Sequence, residues 1–222
     1  MKRIIGIGTV LLCSVFGVQA QSSQAVLSDL MEQALADNKE HKYQSALENF
    51  DRVCAQTEMM RTEAERDMYL WSLKMSMSCC LNLKDYVRAW HYCQKLETAS
   101  LSDQEKMELA EQMVCAGLLY VQHMSSKENA DFLALHHVLD QITPYAVETE
   151  VPSITVLRLL LWYLMAEKYM QEQKPSVAYE CLLRAYDGYS DVQGQGLQAN
   201  VLRTIRECEQ RVISLIEKNL SK

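Results

Sequence analysis

The chain predicts an all-α fold: an α-solenoid of about four antiparallel helix hairpins, closed by a C-terminal capping helix. Three observations carry this. Only seven glycines and three prolines interrupt 222 residues. Apolar residues recur at three- and four-residue spacing, the period of a helix buried along one face, and β-branched alternation is almost absent. A serine or threonine followed three residues later by glutamate recurs ahead of apolar runs, at Thr62 and Glu65, Ser102 and Glu105, and Ser125 and Glu128. That pair satisfies the orphan amides of a first helical turn from both sides.

The first segment is not part of that array. Lys2 and Arg3 precede an uncharged apolar run from Ile4 to Val18, and Val18-Gln19-Ala20 ends in a compact residue suited to cleavage before Gln21. This is the layout of a secretory signal peptide. The run of 15 residues is short of the ~20 that cross a bilayer, and Gly6, Gly8 and Gly17 weaken it as a helix. Lipid anchoring at Cys13 is disfavoured because the bulky Leu12 precedes it. Residues 1–20 are therefore expected to be removed, leaving one helical-repeat domain over 21–222, exported to the periplasm or secreted.

Nine helices are expected, near 24–37, 42–56, 62–82, 85–98, 103–124, 128–142, 152–172, 175–187 and 196–219. Asp37-Asn38-Lys39-Glu40 marks the first turn, and Pro152 and Pro175 sit where a first helical turn tolerates proline. The stretch from Gly188 to Gly196 predicts a loop. The last helix carries Leu197, Val201, Ile205, Cys208, Val212 and Leu215 on one stripe and charge on the other, as a capping helix requires.

The hairpins repeat. Tyr43-x2-Ala46-x3-Phe50 recurs as Tyr86-x2-Ala89-x3-Cys93 and as Ala178-x3-Leu182-x2-Ala185. The alanines lie 43 and 89 residues apart, so a further unit belongs in the wider gap, with Phe132 in the alanine slot. Trp162-x3-Ala166-x2-Tyr169 followed by the Ala178 helix resembles the tetratricopeptide repeat, and Leu30, Ala34, Tyr43, Ala46 and Phe50 fit the same frame. The resemblance spans roughly Leu27 to Tyr186, with a period longer than the ~34 residues usual for that repeat. Met77 stands where the first helix of a unit usually carries a small residue.

The resemblance implies a concave groove, lined by the first helix of each hairpin, that receives a protein or peptide ligand. It projects Ser28, Met31, Leu35 and Asn38 there, then Trp71, Lys74 and Ser78, then Leu160, Tyr163, Glu167 and Met170. Among these, Met31, Leu35, Trp71, Lys74, Tyr163 and Glu167 are the candidate partner-binding residues, with Trp71 and Tyr163 as aromatic anchors. Both aromatics could instead pack between repeats. Met31 and Leu35 replace the polar groups with which a subgroup of the family grips a C-terminal carboxylate, so that specificity is not implied.

Composition narrows the function further. Loss of Lys2 and Arg3 takes the net charge from −7 to −9, a poor match for nucleic acid, which needs basic clusters to displace counterions. No later run is long and apolar enough to cross a membrane, so no transmembrane segment is expected after cleavage. No phosphate-binding loop, zinc-protease motif or nucleophile elbow is present, so neither a catalytic residue nor a cofactor is assigned. His136 and Asp140 could share one helix face, but no third metal ligand accompanies them. Seven cysteines survive cleavage, an odd number, and they fall on apolar stripes, as buried small hydrophobes do. The leading expectation is a non-catalytic binding scaffold of the bacterial cell envelope. The alternatives are a self-assembling structural component and, in another class, a thiol protein using Cys79 and Cys80.

Overall fold

A computed structural model of the chain describes residues 25–59, 61–99, 101–147, 150–193 and 199–220. The expected signal, 1–20, lies outside them, as do Leu197 and the end of the expected 188–196 loop. The described residues are helical throughout apart from short turns. The helices are α1 over 25–39, α2 Tyr43–Thr57, α3 Glu63–Asn82, α4 Tyr86–Thr98, α5 Asp103–Ser125, α6 Phe132–Ile142, α7 Val151–Gln171, α8 Pro175–Gln193 and α9 Ala199–Leu220. A 3-10 turn, Thr143–Tyr145, follows α6.

The chain divides into two compact units, Met1–Leu101 and Ser102–Lys222. In the first, α2 packs on α3 and α3 on α4. Helices α1 and α3 also meet directly: Ser72 Oγ lies 3.9 Å from Met31 Sδ, and the Cys79 thiol donates to Asn38 Oδ1 at 3.6 Å. In the second, α7 packs on α5, α6, α8 and α9. Each unit is therefore a stack of antiparallel hairpins, α1/α2 with α3/α4 and α5/α6 with α7/α8, and α9 follows the last. The central helices α3 and α7 bury residues around most of their circumference, which is why neither is strongly amphipathic.

Three of the four hairpins turn in one way. His41, Lys84 and Gln173 adopt φ near +60°. At each, the following amide reaches back five residues, Lys42 to the Asp37 carbonyl, Asp85 to Cys80 and Lys174 to Tyr169. The left-handed residue itself donates three residues back, to Asn38, Leu81 and Met170. These are Schellman motifs, and they close the helix carbonyls without side chains. The three turns are spaced 43 and 89 residues apart, as the alanines are. Glycine suits this backbone better than any L residue. Lys84→Gly should therefore stabilise the protein by roughly 0.5–1 kcal/mol, read as a higher urea midpoint with an unchanged slope.

The structure corrects four local expectations. Ser125 does not start a helix: it ends α5, and its hydroxyl donates to the Gln122 carbonyl. Helix α6 instead begins at Phe132, with Asp131 accepting from the Ala134 amide as its cap. The alanine slot, fourth in α2, α4 and α8, consequently falls on Leu135 rather than Phe132, and the slots are spaced 46 and 43 around it. Helix α8 runs through Gly188 to Gln193, tolerating a glycine that weakens a helix by about 1 kcal/mol. The expected turn at 37–40 is shorter, because α1 continues to 39. There the Asp37 carboxylate accepts from Ser45 at 2.6 Å and Asn49 at 3.5 Å, tying α1 to α2.

Ala46, Ala89, Ala178 and Ala185 are fully buried, so a larger side chain at any of them would separate the paired helices. The same volume logic explains Met77. The first hairpin combines Ala34 with Phe50, and the second has Met77 and Cys93 in the corresponding slots, all fully buried. Cys93 Sγ lies 3.1 Å from Met77 Sδ, so the small thiol makes room for the long thioether.

Candidate functional site

An open groove lies in the second unit, between α7 and α9, with a volume of about 660 Å³. Glu167 and Gln171, one turn apart, form the α7 wall. The α9 wall is Glu207, Gln210, Arg211, Ser214, Leu215 and Lys218. The α9 residues keep three- and four-residue steps, so they form one stripe beside the buried stripe of Ile205, Cys208 and Val212. The buried stripe packs with Leu159, Tyr163, Met165 and Ala166 and so holds α9 against α7. The polar stripe is left at the groove. Arg211 Nε stands 3.6 Å from Glu167 Oε2 across it, and Arg211 Nη2 lies 3.2 Å from Cys208 Sγ. Glu207 is held by Arg203 on its own helix.

This surface suits an extended main chain. Gln171, Gln210 and Ser214 each supply donors and acceptors, and the wall carries both signs of charge. From Glu207 to Lys218 the helix advances about 16 Å, the length of roughly five extended residues.

Of the projected partner-binding residues, only Glu167 lines this groove. Tyr163 is 4% exposed, inside the α7–α8–α9 core, because α9 covers the side of α7 that was expected to stay open. It is a core residue and not a surface anchor, and Met170 is buried too. In the first unit, Met31 is half-buried against Leu27, Leu30 and Val53. Leu35 is exposed on α1. Trp71 is half-buried and meets the Phe50 ring edge-on, with centroids 5.6 Å apart at 75°, so it packs between the first two hairpins. Lys74 is half-buried on the same helix. The amphipathic pattern of α9 predicts only a capping helix, so its groove residues escape the sequence reading. Their spacing was the available signal.

A second cleft, of about 350 Å³, lies in the first unit between α2 and α4. Asp51 lines it and takes a hydrogen bond from the Tyr92 hydroxyl and one from Arg88 Nη2 at 2.9 Å. Burial and the Asp51 carboxylate both push the Tyr92 phenol well above its ordinary range, so it stays a donor. The network is self-satisfied and joins the two helices.

Among the described residues six of the seven cysteines are buried, while Cys115 on α5 is exposed. Cys79 and Cys80 are fully buried, and burial pushes them up to about 11 and about 12. Cys54 is likewise pushed up to about 12. A reactive thiol needs an accessible thiolate, and neither Cys79 nor Cys80 supplies one. His136 is buried between helices, with its ring 4.1 Å from that of Trp162 and its Nε2 without a hydrogen-bond partner. Among the described residues no group of three His, Cys, Asp or Glu side chains is placed to hold a metal, and no helix is long and apolar enough to cross a membrane. Comparison of the chain with protein-family models, with curated protein sequences and with solved structures returns no match.

Proposed function

We propose that the protein is a non-catalytic scaffold of the bacterial cell envelope, exported by its first 20 residues, that holds a protein or peptide ligand. The single observation that carries this reading is the α7/α9 groove: long, open, and lined by side chains that match a main chain rather than attack a substrate. The tetratricopeptide-like pattern supports it through α7 alone, since that architecture receives extended segments on the first helix of each hairpin and α7 is such a helix. The thiol alternative loses support from the burial of Cys79 and Cys80.

The test is selection of binders to the mature chain from a random displayed peptide library, with affinities by calorimetry. Peptides of one pattern should emerge, and Gln171→Ala/Gln210→Ala should weaken them by about tenfold, the loss of one or two hydrogen bonds. Both residues are exposed, so the melting curve should not move. Failure to enrich any peptide, or binding untouched by the double substitution, refutes the groove as the binding surface.

A further inference from the structure

The cleft between α2 and α4 in the first unit is built from matched rungs. Both helices run antiparallel to α3 and so parallel to each other. Asp51, Cys54 and Glu58 of α2 stand 37 residues before Arg88, His91 and Lys95 of α4. Steps of three and four residues keep each trio on one helix face. The first rung is closed, since Arg88 and the Tyr92 hydroxyl both bond Asp51. The third rung, two turns on, is open. Among the described residues Glu58 and Lys95 make no ion pair, with each other or elsewhere, although both charges act on the Cys54 thiol, in opposite senses. Tyr69 of α3 reaches the cleft at this open rung, beside Cys54 and Glu58. It is 7% exposed, and its hydroxyl makes no hydrogen bond among the described residues. Burial, then Cys54 and Glu58, pushes its phenol up, so it stays protonated as a donor. A polar group buried so deeply ordinarily has a partner, and this one faces the cleft instead.

We infer that the open end of this cleft binds a free α-amino acid, its carboxylate on the Tyr69 hydroxyl and the Lys95 ammonium, its own ammonium on Glu58. The three groups select this chemistry together. A carboxylate without an amine would face Glu58 with nothing to offer it. An amine without a carboxylate would face Lys95 and leave the phenol without an acceptor. A zwitterion whose two charged groups flank one carbon answers all three and leaves the charge of the cleft unchanged. Arg88 does not compete for the carboxylate, because Asp51 already holds it. The volume of about 350 Å³ lies near the lower end of the roughly 300–1,000 Å³ of small-molecule sites, which suits a ligand of this size. Cys54 and Ala55 leave a short apolar floor for its side chain.

The experiment is calorimetric titration of the protein with each of the standard amino acids at neutral pH. At least one should bind, and its counterparts lacking the amine or the carboxylate should each bind about tenfold more weakly or worse. Tyr69→Phe removes only the unpartnered hydroxyl, so it should weaken the amino acid about tenfold and leave the urea midpoint no lower. Glu58→Gln should weaken the amino acid by a similar factor and leave the affinity of the amine-free counterpart unchanged. Absence of binding by every amino acid overturns the inference. So does binding indifferent to Tyr69→Phe, or a Glu58→Gln effect that is the same with and without the ligand amine. A lower midpoint for Tyr69→Phe would show that the hydroxyl already has a partner in the fold, and overturns it as well. Gln171→Ala/Gln210→Ala, in the groove of the second unit, should leave these titrations unchanged, which separates this site from the proposed function.

Discussion

Phe50→Ala should destabilise the protein by about 3–5 kcal/mol, the range for emptying a fully buried aromatic site. Phe50 is fully buried, and its ring meets Trp71 of the next hairpin in an edge-on contact. The loss has two parts. One is the transfer of the ring to water with a cavity left behind. The other is the ring–ring contact, worth about 0.5–1.5 kcal/mol beyond buried area. The neighbouring helices cannot collapse freely into the space, because α1 and α2 are tied at their turn by Asp37, Ser45 and Asn49. Urea unfolding monitored by circular dichroism measures the total, and a double-mutant cycle with Trp71→Ala isolates the ring pair. A loss under 1 kcal/mol on the whole would mean that the first two hairpins do not share a core through this residue.

Acidification is the second large effect, and it acts through the second unit. Burial holds His136 down to about 4, helped by the positive charge of Arg158 and Arg184 and opposed by Asp140. Its ring lies against Trp162, whose other neighbour is the Arg184 guanidinium at 4.9 Å. A charged imidazole there would be desolvated and would join two cations. The unfolded chain protonates this histidine near its ordinary 6.5; the folded chain resists until about 4. Stability is therefore complete above pH 6.5 and falls as the pH drops toward 4, by about 3 kcal/mol over the interval. Carboxylates titrate in the same range, so the diagnostic quantity is a difference. His136→Phe keeps a ring beside Trp162 and removes the proton site, and its urea midpoint should fall less than the natural chain's between pH 7 and pH 4. Equal falls would show that His136 does not govern the acid response of this hairpin.

The contrast between these two residues runs through the molecule. Phe50 could be assigned to the core from its place in an apolar repeat. His136, by contrast, read as a possible ligand or a surface group. Only the packing of α6 on α7, with Arg184 reaching in from α8, makes it a buried neutral ring. Tyr163 is a similar case. Its position on the first helix of a hairpin pointed to the groove, and α9 turned that position into core. Glu167, one turn further along the same helix, escapes that cover and stays at the groove with Arg211.

The sequence by itself determined the all-α class, most helix positions, the 43-residue recurrence of alanines and the burial of most cysteines, Cys115 being the exposed one. Each of these depends on periodicity, capping or composition, which act over a few residues. Tertiary structure alone decided the shift of the third repeat to Leu135, the α9 wall of the groove and the open stripe on α8. A helix has several faces of comparable polarity, and which one is covered depends on where helices far along the chain come to rest. The α9 stripe and the α8 stripe are both amphipathic in the sequence. Packing on α7 consumed one face of α9 and left Tyr179, Leu183 and Tyr186 of α8 uncovered.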